Sequence, residues 1–257
     1  MDRDVRAEKP GVCPRCGMKL VLKVPDIMEF PLEVSHSPDR LSPEAEATFT
    51  FRVRAPGGRL VDRFEIVHEK LLHVFLVSEN LEFFAHVHPE PGAGGTFQLK
   101  VRFPFGGMYR LLADYYPARS APQLATKTFF VSGASSPARL VPGPASFKAD
   151  NVSALLQLDP RSAIAGLETR LTYTIDPAAG FEPYLGAWGH MLAVSDDLVD
   201  FLHVHPFLAD GGPRVQFNLV FPRPRFYRIW TQFQRRGVVN TIVSTIGVRA
   251  LERILPG

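Results

Sequence analysis

Three histidines recur in this 257-residue chain with identical spacing and in similar local text. The first copy runs from His73 to Pro89 and reads H-V-F-L-V-S-E-N-L-E-F-F-A-H-V-H-P. The second runs from His190 to Pro206 and reads H-M-L-A-V-S-D-D-L-V-D-F-L-H-V-H-P. Each histidine returns after 117 residues: 73 to 190, 86 to 203, 88 to 205. A repeat of that length divides the chain into two domains of ordinary size. Six of the eight histidines belong to the pattern. Imidazole is costly to bury unpaired and is the commonest metal-binding side chain. A triplet held in register through duplication needs a shared reason, and metal binding is the leading one.

The surrounding text repeats as well. Ala47–Arg54 alternates apolar and polar residues as a half-buried strand does, and Leu167–Ile175 does so in the second copy. Leu71–Val77 and Trp188–Val194 are apolar runs suited to core strands, with return strands at Phe83–His88 and Phe201–His205. Phe97–Phe103, Tyr109–Tyr115 and Lys127–Val131 are matched by Val215–Phe221, Phe226–Phe233 and Thr241–Val248. Tyr109-Arg110 and Tyr227-Arg228 align at an offset of 118, so one residue was gained between the two markers. About seven short strands per hundred residues predict an all-β chain of two tandem immunoglobulin-like sandwiches; a small barrel is the alternative. The expected division is a polar N-terminal segment at 1–24, repeats at 25–132 and 147–257, and a Pro/Gly/Ser-rich linker at 133–146.

Side chains two apart on a strand share a face, with Cα atoms roughly 6.6 Å apart. His86 and His88 therefore share a face, as do His203 and His205. A hairpin with a two-residue turn at Asn80-Leu81 places His73 opposite His88, with Cβ atoms about 4.5–5.5 Å apart. The three rings then form a triangle, which His190, His203 and His205 repeat. Three neutral imidazoles suit Cu(II) or Zn(II). Proton competition should weaken binding as pH drops through about 6.5. A fourth position is left for water, a carboxylate or a substrate. His68 is a further candidate in the first copy, its counterpart lying near Leu185, and Glu90 and Asp200 are weaker ones. Met191 should point to the opposite face.

Two other readings compete. In one, the histidines serve packing alone in a protein-interaction scaffold. In the other, an open three-histidine site activates water in a metal-dependent enzyme. An H-x-H pair followed by an acidic residue and a later histidine would resemble the metal site of cupins, but no suitably spaced histidine follows His88 or His205. No general base is shared by both copies, and no phosphate loop or nucleophile elbow occurs, so binding is favoured over catalysis. The net charge of +3 owes much to arginines of the second half without aromatic-plus-basic recognition text, so no nucleic-acid partner is expected. No apolar run reaches membrane-span length, and Met1–Arg6 has no apolar segment of export type.

The only cysteines, Cys13 and Cys16, sit in Cys13-Pro14-Arg15-Cys16-Gly17, a knuckle that can bring two sulfurs onto one ion. Alone it supplies half a tetrahedral site. The text K-P-G-V-C-P-R-C-G-M-K-L-V, Lys9–Val21, resembles the second half of the bacterial heavy-metal-binding domain. That module accompanies copper-transporting P-type ATPases and heavy-metal efflux adaptors. Its usual first half carries Cys-Pro-Met-His-Pro; Met1–Val5 aligns with the end of that stretch, so the first Cys and the His are absent here. The duplicated L-x-x-F-x-H-x-H-P is similar to extracytoplasmic proteins carrying the same module. The resemblance implies metal handling in bacterial heavy-metal homeostasis or resistance, a periplasmic or extracytoplasmic setting, and a heavy-metal efflux system as partner.

Overall fold

The computed structural model describes Val5, Ala7, residues 9–20 and residues 28–251. Met1–Asp4, Val21 and the 252–257 end of the second repeat, all named above, lie outside the described residues. Among the described residues the fold is all-β apart from one 3-10 turn at Ala93–Gly95, and no helix there is long and apolar enough to cross a membrane. It divides into two compact units, one built on Met18–Ala138 and the other on Arg139–Gly257.

The first unit holds β1 (Leu32–Ser37), β2 (Glu46–Val53), β3 (Leu72–Ser78), β4 (Phe84–Val87), β5 (Glu90–Pro91), β6 (Thr96–Arg102), β7 (Gly107–Tyr115) and β8 (Gln123–Val131). They form two antiparallel sheets, β1-β2-β6-β5 and β4-β3-β7-β8. Alternation on β2 sends Ala47, Phe49, Phe51 and Val53 inward. They meet Leu72, Val74, Leu76, Tyr109 and Leu111 from the other sheet in one core. Phe49 packs edge-on to Phe103 and Phe129, with centroids 6.0 and 5.1 Å away. Each such buried ring contributes roughly 1.5–3 kcal/mol of transfer free energy. Two faced sheets around one core make this unit an immunoglobulin-like sandwich.

The second unit repeats the plan with β9 (Ser146–Lys148), β10 (Ser153–Asp159), β11 (Glu168–Asp176), β12 (Phe181–Glu182), β13 (His190–Ser195), β14 (Phe201–Val204), β15 (Arg214–Val220), β16 (Phe226–Arg235) and β17 (Val238–Gly247). One sheet is β15-β11-β10-β9; in the other β14, β13, β16 and β17 pair in turn and β12 also joins β16. Tyr173, Phe217, Phe221, Tyr227 and Phe233 anchor its core. The strands predicted from sequence are present within a few residues. β1, β5, β9, β10 and β12 were not among the predicted strands, and β9 begins at Ser146, inside the predicted linker.

Candidate metal centre

The β3–β4 hairpin builds the first site. Its register pairs Val74 with Val87 and Phe75 with His86. One step further brings His73 opposite His88, as the spacing predicted. The turn itself differs from the expected two-residue form. The last ladder bond runs from the Ser78 N–H to the Phe83 carbonyl at 3.2 Å, leaving a four-residue loop, Glu79–Glu82. Ser78 Oγ caps that loop, accepting from the Phe83 N–H at 2.9 Å and donating to Asn80 Oδ1 at 2.6 Å. Leu81 takes φ 55° and buries its side chain. Register survives because lengthening the loop symmetrically leaves the pairing unchanged.

Leu72, Val74 and Leu76 enter the core, so alternation turns His73 and Phe75 to the opposite face of the sheet. There the ligand nitrogens of His73, His86 and His88 all lie within 4.8 Å of one another. His73 Nδ1 is 3.2 Å from His86 Nε2 and 3.1 Å from His88 Nε2. The other ring nitrogen of His73, Nε2, lies 2.9 Å from the Val67 carbonyl. A carbonyl only accepts, so Nε2 carries the proton and Nδ1 presents its lone pair to the other two rings. The carbonyl is held by a two-residue turn in which Val67 and Lys70 exchange both backbone hydrogen bonds, at 2.9 and 3.0 Å. His68 and Glu69 sit in that turn at φ 48° and 64°, a left-handed conformation costly for side-chain-bearing residues. His68 therefore belongs to the device that orients His73; its ring centroid stands 6.3 Å from that of His73. The His86 ring stacks on Phe75, centroids 4.3 Å apart and planes 19° from parallel. Burial, then the neighbouring His73 and Lys70, push the His88 ring down to about 3, so it is neutral at ordinary pH.

The second unit rebuilds this device with different residues. His190 Nε2 lies 2.8 Å from the Tyr184 carbonyl, which occupies the place of Val67. Tyr184 and Ala187 exchange backbone hydrogen bonds at 2.8 and 3.1 Å around Leu185 and Gly186, whose φ angles are 50° and 71°. His205 Nε2 reaches His190 Nδ1 at 3.1 Å. His203 stands differently from His86: its ring is 6.3 Å from that of His190 and nearly parallel to it, against 5.5 Å for His86 and His73. The β-ladders also set Asp114 beside His73 and Gln232 beside His190. Those partners lie on strands distant in sequence, and only the repeat offset of 118 linked them.

A family model described as Domain of unknown function (DUF8832) matches twice, over residues 29–132 and 148–250. The chain belongs to that family. Each DUF8832 match contains one histidine triplet, and the Cys13–Cys16 knuckle precedes both. No curated protein matches the sequence. Among solved structures, the chain is similar to the Escherichia coli adhesin FdeC, at 13% identity and TM-score 0.30, covering 90% of this chain and 67% of that one. Fibronectin(III)-like modules of Clostridium thermocellum CbhA overlay at 9% identity and TM-score 0.26, covering 88% and 100%. A titin I-band fragment, I67-I69, overlays at 11% and 0.25, covering 87% and 66%. The chain thus spans about two thirds of the adhesin and titin structures.

The other sequence candidates are placed as follows relative to the DUF8832 triplets. Glu90 lies exposed on β5, in the sheet opposite the histidines. Asp200 accepts from Arg223 Nε at 2.9 Å and from the Tyr227 hydroxyl at 2.7 Å, which commits it to the hairpin base. Met191 is buried in the core, as alternation required. Cys13 and Cys16 are buried and not joined by a disulfide. Their turn is closed by the Gly17 N–H donating to the Cys13 carbonyl at 2.9 Å, with Gly17 at φ 71°. A strand-like bridge between Val12 and Lys19 forms the stem.

Proposed function

We propose that this chain is a metal-ion binding protein whose primary site is His73 Nδ1, His86 Nε2 and His88 Nε2, with Cu(II) or Zn(II) as the ion. One observation carries the reading: a backbone carbonyl fixes the tautomer of His73 so that the Nδ1 lone pair faces two other imidazole nitrogens. Metal-ligating histidines are oriented by such a carbonyl or carboxylate on the far nitrogen, and this chain has built that contact twice.

The spacing fits as well. Two nitrogens each about 2.0 Å from one ion lie about 2.8 Å apart at a right angle and about 3.3 Å apart at the tetrahedral angle. The separations of 3.2 and 3.1 Å fall between these values. His73, His86 and His88 would hold the ion; its chemistry there is Lewis-acid coordination. Neutrality of His88 removes the proton that would otherwise compete. Cys13 and Cys16 supply an accessory thiolate pair. Their resemblance to the heavy-metal-binding module supports a role in bacterial metal homeostasis or resistance outside the cytoplasm, with an efflux system as partner.

Equilibrium dialysis of the full chain against Cu(II) and Zn(II), beside His73→Ala and His190→Ala, tests this. The expected result is bound metal that falls in each variant. Unchanged stoichiometry in both, with no rise in melting temperature on adding either ion, would leave a scaffold with packed histidines.

A further inference from the structure

We infer that the Cys13–Cys16 knuckle is latched onto the second repeat by Arg15 lying over Phe207, and that this latch controls the access of ions and reagents to the two thiols. The inference concerns the knuckle and leaves the histidine triplets aside. It draws on the metal reading above only for its consequence, that a closed latch slows loading of the accessory thiolate pair.

Residues 11–20 carry the knuckle, and Cys13 and Cys16 are the only buried residues among them. The two cysteines are 5% and 9% exposed, while Val12 beside them is 64% exposed. A stretch that leaves its own valine in water has no core with which to cover two thiols, so the cover comes from elsewhere in the fold. Cys13–Gly17 belongs to the same compact unit as Arg139–Gly257. Arg15, between the two cysteines, places its guanidinium carbon 4.6 Å from the centre of the Phe207 ring. That ring is a fixed seat. The Phe207 N–H donates to the Gln216 carbonyl at 2.7 Å and the Gln216 N–H donates to the Leu208 carbonyl at 2.9 Å, which pins the segment to β15. His88-Pro89-Glu90 of the first repeat aligns with His205-Pro206-Phe207, so an exposed carboxylate stands there in place of the ring. The latch therefore selects the second repeat, although the knuckle adjoins the first in sequence.

A guanidinium over a partly exposed aromatic face is worth about 2- to 5-fold in a closed-to-open ratio. A thiol must be accessible to react with a reagent or take up an ion, so opening sets the rate. The test uses the reduced, metal-free full chain and an aromatic disulfide reagent, which reads Cys13 and Cys16 alone because the chain has no other thiol. Cd(II) uptake, followed by its thiolate charge-transfer absorption, is the second readout. Phe207→Ala should speed both about 2- to 5-fold, and Phe207→Tyr, which keeps the ring face, should match wild type. Arg15→Ala also removes a positive charge that favours the thiolate, so it serves as a background: Phe207→Ala should add nothing in the Arg15→Ala chain. Phe207 is 37% exposed and Arg15 is exposed, so these variants are expected to fold, with unchanged melting by tryptophan fluorescence. An unchanged reagent rate in Phe207→Ala, or the same acceleration with and without Arg15, overturns the latch. The expected reagent rates without Cd(II) uptake by any variant support the latch and overturn the accessory metal role of the thiols.

Discussion

The two hairpins share a backbone and differ in what anchors it. In both, a serine at the end of the inner strand caps the loop: Ser78 with Asn80, Ser195 with Asp197, each at 2.6 Å. Beyond that cap the chemistry diverges. In the first repeat Phe83 packs on Tyr109 and Phe103, centroids 5.7 and 6.1 Å away. In the second, Asp200 takes the place of Phe83 and binds Arg223 and Tyr227, while Arg223 also holds Asp197 at 2.8 Å. Aromatic packing in one copy is ionic bonding in the other. The tyrosine hydroxyl still reaches back to a carbonyl four residues earlier in both, Tyr109 to Phe105 and Tyr227 to Arg223. Anchors are therefore interchangeable as long as the loop geometry holds. The carbonyl that orients His73 and His190 did not change in kind, because a displaced lone pair has no substitute.

The contrast can be broken most sharply at the ligands. His73→Ala and His190→Ala should each weaken Cu(II) binding, by at least about 100-fold at the site that loses its ligand. Calorimetric titration checks this, and an unchanged isotherm in either variant would remove that histidine from the metal reading. Next in size, Cu(II) at about 100 times its dissociation constant should stabilise the first site by about 2.7 kcal/mol. Hydrogen exchange should slow in β3 and β4, whose strands carry that site.

Both tryptophans, Trp188 and Trp230, lie in the second repeat, so their fluorescence reports that repeat alone. Arg223→Ala should destabilise it, since it strips partners from Asp197 and Asp200 together. Acid gives a smaller effect of known sign. Hydrogen bonds from Arg223, outweighing burial, hold the Asp197 carboxyl well below the usual carboxylate range. A carboxylate depressed in the folded state stabilises above its unfolded value near 3.9, and that contribution disappears as pH falls below it. With Asp197 largely solvent-screened the loss is about 1 kcal/mol or less. Tryptophan fluorescence should show it between about pH 4 and 2, and Arg223→Ala should reduce the dependence, leaving the part due to Ser195 and the Val199 N–H. The smallest effect concerns the carbonyl turns. Glu69→Gly should stabilise the first repeat by about 1 kcal/mol and Gly186→Glu should cost the second a similar amount, because only glycine takes left-handed φ without strain. Thermal melts of the pair measure both.

Much of the architecture was readable from pattern. Alternation in A-T-F-T-F-R-V-R and L-E-T-R-L-T-Y-T-I named β2 and β11, and the turn residues between apolar runs marked most other strands. The histidine register was readable too, even with the loop length misjudged, because pairing depends on the midpoint of a hairpin. What escaped was long-range or conformational. Asp114 and Gln232 lie beside the histidines through ladders that close over some forty residues. The turn at His68-Glu69 adopts left-handed angles that its composition does not advertise. The stack of His86 on Phe75 needs a rotamer, and rotamers are chosen by packing.

The amino-acid order alone determined that the chain is doubled, that each copy is a β-sandwich, and that three imidazoles fall on one face of each hairpin. These follow from period-two geometry, which acts residue by residue. Only the folded molecule decided which nitrogen of His73 faces the other rings, that Val67 and Tyr184 carbonyls make that choice, and that the His86 ring stands 5.5 Å from His73 where His203 stands 6.3 Å from His190. Those outcomes depend on atoms brought within 3 to 4 Å by strands and turns that local sequence does not connect.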